Sequence, residues 1–206
     1  MDSKQQPNTA PIASFSLGEL ISIAGGSRPA PDFLIVHSDA SQLDAFRFPC
    51  RINAFFIGLG HEGETEISIN LNQYTLRRNT LFLIGPQSII RTGHGGTLKG
   101  DVIVVSPQFM QRMNIGSKQI MSLILQLSAH PCIEISDEES RQLRDFIRLM
   151  DAERGVSGEF SDQLLGNLLL ATLYKIGNTL QSYLEAHPAA QERSNSRADI
   201  YFRKFL

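Results

Sequence analysis

The sequence predicts an α+β chain in which a small antiparallel β-barrel is followed by a layer of about three helices. Three observations predict it. Between Arg47 and Pro107 short apolar runs recur at the close spacing of an all-β barrel or sandwich, and a small antiparallel barrel is the simplest closure. Beyond Pro107 the apolar period lengthens to that of helices. The chain has 206 residues, enough for one good core or two modest ones, and no stretch in it approaches the length of a membrane span.

Taken in order, residues 1 to 13 are polar and proline-bearing, and they should be mobile unless something ties them down. In the next stretch Phe15, Leu17, Leu20 and Ile21 suit a short helix or an extended arm, ended by Gly25-Gly26-Ser27-Arg28-Pro29. Phe33 to His37 reads as a first strand and Ser38 to Ser41 as the turn after it. Ile52 to Leu59 is apolar and aromatic. Ile67, Ile69 and Leu71 alternate with polar residues, the two-residue period of a strand with one buried face. Arg77-Arg78-Asn79 then reads as a turn, Leu81 to Ile84 as the second arm of a hairpin closed by Gly85-Pro86, and Asp101 to Val105 as a further strand.

After Pro107, Phe109, Met110, Met113, Ile120, Leu123, Ile124 and Leu127 suggest one interrupted or two consecutive helices, broken near Asn114 to Ser117. Cys132 to Ile135 reads as an extended link. Ser136 stands three residues before Glu139, the spacing of a capping box, so a helix begins there and runs to about Arg154. Its buried stripe is Leu143, Phe146, Ile147 and Met150; Arg141, Arg144 and Arg148 form a solvated face.

The longest helix is expected over about Glu159 to Ala186, stopped before Pro188. Leu165, Leu169, Leu173, Ile176, Leu180 and Leu184 share one broad face; Leu164, Leu168 and Ala171 fall on another flank, with Lys175 among its polar members. A helix with two apolar flanks can pack within a monomer or form a seam between two copies. Both readings stand. Residues 188 to 197 form a polar linker, and Ala198 to Leu206 begins an amphipathic helix too short to bury much, as though the polypeptide were cut just inside a second domain.

Composition narrows the chemistry. Nineteen basic against 21 acidic residues leave a net charge of −2, so nothing argues for a non-specific grip on nucleic acid or anionic membrane. The N-terminus has no charged region followed by an apolar core, so no signal peptide is read and a reducing cytoplasm is the expected compartment. Cys50 and Cys132 are expected as two buried thiols rather than a disulfide.

Metal-binding cupin barrels hold iron, manganese or nickel with an H-x-H pair, a glutamate and a third histidine. Here Leu59 stands two residues before His61, isoleucine occupies the place of the third ligand within Pro86 to Arg91, and His94 is isolated in a glycine-rich loop. His37, His61 and His94 are therefore read as surface or hydrogen-bonding residues, and no metal, cofactor or catalytic residue is expected. If Arg51, Asn53 and Phe55 face inward, they give an apolar cavity its few orienting polar groups; Arg91 and His94 complete the candidate ligand-binding set.

Three segments carry a resemblance to a known family: Ile67 to Leu76, Asn79 to Pro86 and Val102 to Phe109. Together with Ser194 to Leu206, they resemble the N-terminal effector-binding and dimerisation region of AraC/XylS-family transcription regulators, in the form common in Bacteroidetes. The resemblance implies a cupin-like barrel that senses a small molecule, helices that pair two subunits into a homodimer, and a C-terminal helix-turn-helix module that reads DNA. It divides the chain into an N-terminal arm (1–30), the barrel (31–107), a helical dimerisation region (108–187) and a linker with the start of the DNA-binding module (188–206). On this reading Leu164, Leu168, Ala171 and Lys175 are the candidate dimer interface, and DNA is reached only through the missing module. A cupin enzyme, such as an isomerase or dioxygenase, and a dimerising scaffold that binds no ligand are the competing readings.

Overall fold

The computed structural model describes residues 12–19, 32–38, 44–115, 118–153, 156 and 158–188. Ten strands and four α-helices follow one another along these segments. The strands are β1 (Ala13–Phe15), β2 (Phe33–Ser38), β3 (Cys50–Ile52), β4 (Phe55–Glu62), β5 (Glu64–Ile69), β6 (Asn72–Arg77), β7 (Thr80–Ile84), β8 (Ile89–Thr92) and β9 (Lys99–Val105). After them come α1 (Pro107–Arg112), α2 (Lys118–Ala129), β10 (Cys132–Glu134), α3 (Asp137–Glu153) and α4 (Ser161–Ala186). The expected linker and C-terminal helix beyond residue 188, like Leu20 to Pro29, lie outside the described residues.

The α+β class holds, with a cupin-like β-sandwich followed by helices. Its strands form two five-stranded sheets, ordered β1-β3-β8-β5-β6 and β10-β7-β4-β9-β2, which are not joined into a closed ring. Every pairing within them is antiparallel except β1 with β3.

Two apolar cores make three layers. Ile52, Ala54, Phe56, Ile67, Ile69, Leu76, Phe82, Ile84, Ile90 and Val104 pack between the sheets. Ile57, Leu59, Leu81, Leu83, Ile103 and Val105, from the other face of the second sheet, pack against Leu143, Ile147, Leu169, Leu173, Ile176 and Leu180 of the helices. That second sheet is covered on both sides, so every residue of β7 is buried and Leu81 to Ile84 reads as an unbroken apolar run. Gly58, opposite Phe82 in the β4–β7 ladder, leaves room for its ring: a Cβ there would lie 2.0 Å from Cζ.

The expected single strand from Ile67 through Leu71 is instead a hairpin. Asn70 and Leu71 turn at φ 48° and 72°, Leu71 is 90% exposed, and the chain returns as β6. Arg77 to Asn79, expected as a hairpin turn, is a corner where the chain leaves the first sheet for the second. It is pinned from outside: Arg78 Nη2 and Asn79 Nδ2 each donate to Asp137 Oδ1 at 2.8 Å, and Arg77 pairs with Glu134. The extended link at Cys132 to Glu134 is a strand on the edge of β7, so the helical half of the chain contributes to the sandwich.

The helices begin and end where sequence signals place them. Ser136 and Glu139 form a reciprocal cap: Glu139 N–H donates to Ser136 Oγ, and Ser136 N–H to Glu139 Oε2, at 3.2 and 2.9 Å. On α3, Leu143, Ile147 and Met150 are buried, while Arg141 pairs with Glu138 and Arg148 with Asp145 on the exposed side. Between α1 and α2, Asn114 takes φ 54° and ends the first helix.

Candidate functional site

The structure separates the five candidate ligand residues. Arg51 and Asn53 were expected to share an inward face with Phe55 on one strand. In fact the chain changes sheets at Asn53-Ala54: β3 belongs to one sheet and β4 to the other. Ile52, Ala54 and Phe56 take the inter-sheet interior, and Phe55 packs toward the helices. Asn53 is exposed and Arg51 half-buried. Both are engaged by Gln87, whose carbonyl accepts from Arg51 Nη1 and whose Nε2 donates to Asn53 Oδ1, each at 3.2 Å. The inward phase is thus corrected; a two-residue period cannot be carried through a corner.

Arg91 and His94 come together elsewhere, on the outer face of the first sheet. Ser68 of β5 pairs with Arg91 of β8 on one side and with Gln73 of β6 on the other, so those two side chains project from the same face as Ser68. Glu66, two residues before Ser68, joins them. Arg47 enters from the segment after the 3-10 turn Asp44–Phe46, and His94 from the β8–β9 loop. The group lines a depression of about 280 Å³. Among the described residues, Arg47 and Arg91 are the arginines whose side chains have no hydrogen-bond or ion-pair partner, since those of the others reach carboxylates or backbone carbonyls. Arg47 carried no local sequence signal that could have placed it here.

A second polar cluster ties the sandwich to the helices. Asp101 of β9 lies between two histidines: its Oδ1 is 2.7 Å from His37 Nδ1 on β2, and its Oδ2 is 2.6 Å from His61 Nε2 on β4. His37 Nε2 lies 3.2 Å from Asp151 Oδ2 on α3. The Asp101 hydrogen bond raises the His37 pKa, burial opposes it, and Asp151 adds to the rise. For Asp101, burial acts to raise the pKa, but hydrogen bonds from His61 and then His37 outweigh it and hold the carboxyl below its ordinary 3.8. Among the described residues, no group of three or more His, Cys, Asp or Glu is placed to hold a metal ion. The cysteines are free; burial pushes Cys50 up to about 11 and Cys132 up to about 12.

On α4, the expected core face is buried from Leu165 to Leu184. The other flank is unevenly covered. Leu164 is 41% exposed and Tyr174 46%, with Phe160 at 71% just before the helix. Ala171 and Lys175 are half-buried, and Leu168 packs against the core from its edge. Alongside this flank, a groove of about 860 Å³ runs between α2 and α4, with Ile120, Leu123, Gly177 and Leu184 among its lining residues and Tyr174 and Gln181 beside them. No helix among the described residues is long and apolar enough to cross a membrane.

No protein-family model matches the chain, and no curated protein matches it. Solved structures to which the chain is similar include AraC-like transcription regulators. The activator CuxR is 13% identical, with a TM-score of 0.38 over 69% of this chain and 52% of that one. An apo ToxT variant from Vibrio cholerae is 12% identical, with a TM-score of 0.45 over 76% and 60%. ToxT from Vibrio cholerae bound to (E)-4-(8-methylnaphthalen-1-yl)but-3-enoic acid is 13% identical, with a TM-score of 0.39 over 65% and 50%. The chain thus spans between half and three fifths of the length of these structures.

Proposed function

We propose that this chain is the regulatory part of a transcription regulator: a cupin-like sandwich that senses a small molecule, carried on helices that pair two copies. DNA would be read by a module outside the residues described. The observation that carries the pairing is the second flank of α4, where Phe160, Leu164 and Tyr174 stay exposed although the opposite face of the same helix is fully buried. Large apolar side chains left in water on one ridge are characteristic of a surface that meets a partner. Leu164, Ala171 and Lys175 remain the proposed seam, with Phe160 and Tyr174 added to it and Leu168 at its inner margin.

A second reading, a scaffold that binds nothing, draws support from one observation. Among the described residues the space between the sheets is filled by packed Ile, Leu, Val and Phe side chains, with Thr65 and Thr92 as the buried polar residues of β5 and β8. An effector, on this argument, is better sought on the surface of the sandwich than inside it.

Light scattering tests the pairing. Wild type should show twice the chain mass, and Leu164→Glu combined with Tyr174→Glu should give a folded monomer. Leu168 is left unchanged because it also packs against the core, so a glutamate there would confuse dissociation with unfolding. A wild type that is monomeric at high concentration would overturn the proposal.

A further inference from the structure

We propose that the depression on the outer face of the first sheet binds a small polyhydroxylated carboxylate. Arg47 and Arg91 supply the anion recognition. Each guanidinium offers planar donors that match a carboxylate in pairs, and neither is occupied by a protein partner among the described residues. That both fall in the same depression distinguishes them from the other described arginines.

The remaining lining narrows the ligand. The side chains of Glu66, Gln73 and His94 likewise have no hydrogen-bond partner among the described residues. A carboxylate, an amide and an imidazole beside two guanidiniums can accept from and donate to hydroxyl groups, which a simple fatty acid would leave unanswered. Glu66 also argues against a ligand that is anionic throughout, because its charge would repel a second acidic group. At about 280 Å³ the depression lies at the lower end of ligand cavities, so it suits a chain of about six carbons and not a dinucleotide. The strand frame holds three of these side chains at fixed register, with Gln73 and Arg91 flanking Ser68.

The assignment is independent of whether two copies pair, and its test reads binding directly. Titrate the full chain by calorimetry with D-gluconate, with sorbitol as the same polyol without the carboxylate, and with hexanoate as the same chain without the hydroxyls. Saturable gluconate binding is expected, with sorbitol and hexanoate weaker by roughly tenfold or more. Arg91→Gln and Arg47→Gln should each weaken gluconate by a similar factor while leaving the melting temperature unchanged, since both residues lie on the surface. Glu66→Gln should weaken it less. Absence of saturation by about 10 mM gluconate would overturn the proposal. So would equal binding of hexanoate or inorganic phosphate, which would mean that the hydroxyls are not read, or gluconate binding indifferent to both arginine substitutions.

Discussion

His37 should act as a pH-dependent clasp between the sandwich and α3. A neutral imidazole has one N–H, yet each ring nitrogen of His37 faces a carboxylate, Asp101 at 2.7 Å and Asp151 at 3.2 Å. Only the doubly protonated ring satisfies both. Because the folded-state pKa is raised above the ordinary 6.5, the stability it adds is fully present below that value and is lost as pH rises through the folded value. Asp101 works in the opposite sense: its contribution is present above 3.8 and is lost as pH falls through its depressed value. The clasp is therefore strongest between 3.8 and 6.5. The His37 side chain is 58% exposed and Asp151 33%, so solvent screening limits the gain to the range of surface pairs, about 0.5–1 kcal/mol. For a chain of this size that is roughly 1–4 °C in melting temperature. The assay compares melts of wild type, His37→Gln and Asp151→Asn at about pH 5.5 and pH 8.5, with the His37 ring followed by NMR. Wild type should lose its advantage over both variants at the higher pH, and Asp151→Asn should lower the His37 midpoint. Parallel melts across that interval, or a His37 midpoint at or below 6.5, would refute the reasoning.

Other sites give sharper stability effects. Gly58→Ala should destabilise by about 1–3 kcal/mol, because the added methyl meets the buried Phe82 ring within the sheet; the paired change Phe82→Leu should recover part of the loss in denaturant titrations. Ser136→Ala removes the reciprocal cap of α3 and should reduce stability by about 1 kcal/mol, an effect that Ser136→Asp should largely avoid. Cys50 and Cys132, with thiols pushed up to about 11 and about 12, should react with a thiol reagent at neutral pH only after denaturant is added. Rapid labelling of native Cys50 would contradict its burial, and rapid labelling of half-buried Cys132 its raised pKa.

What could be read from the residues was mostly what local chemistry decides. Leu81 to Ile84 announced a short apolar strand, Ser136 and Glu139 announced a helix start, and the 3.6-residue spacing of Leu165, Leu169, Leu173 and Ile176 announced the buried face of α4. Corners were harder. Asn70-Leu71 turns inside an apparently continuous alternation, since Leu71 keeps the apolar pattern while projecting into water. Asn53-Ala54 carries the chain between sheets with no glycine or proline to mark it, and that change of sheet undid the inward phase of Arg51 and Asn53. The polar clusters were legible only in part: Arg91 and His94 were named from the sequence, but the residues that join them were not. His37 meets Asp101 across 64 residues and Asp151 across 114, and Arg47 shares a depression with Arg91 because the 3-10 turn before it lies beside β8. Such contacts depend on topology, and no local window contains them.

If the outer depression and the α4 flank belong to one regulatory device, linkage makes a quantitative demand on them. A ligand can shift pairing only by the ratio of its affinities for the paired and unpaired states, and pairing must then change ligand affinity by the same factor. The depression and α4 are separated by two apolar cores and the doubly buried second sheet, so among the described residues no side chain lines both. A polar route runs round the edge instead: β6, which carries Gln73, ends at the corner where Arg77, Arg78 and Asn79 hold Glu134 and Asp137, and Asp137 begins α3 against α4. The decisive comparison is the gluconate affinity of the wild-type pair against that of the Leu164→Glu, Tyr174→Glu monomer. A regulatory device requires a difference, on the order of 5-fold or more for useful coupling. Asp137→Ala should then shrink that difference while leaving the affinity of the monomer unchanged, because it cuts the route without touching the depression. Equal affinity in pair and monomer would mean that the two surfaces ignore each other, however tightly either one binds.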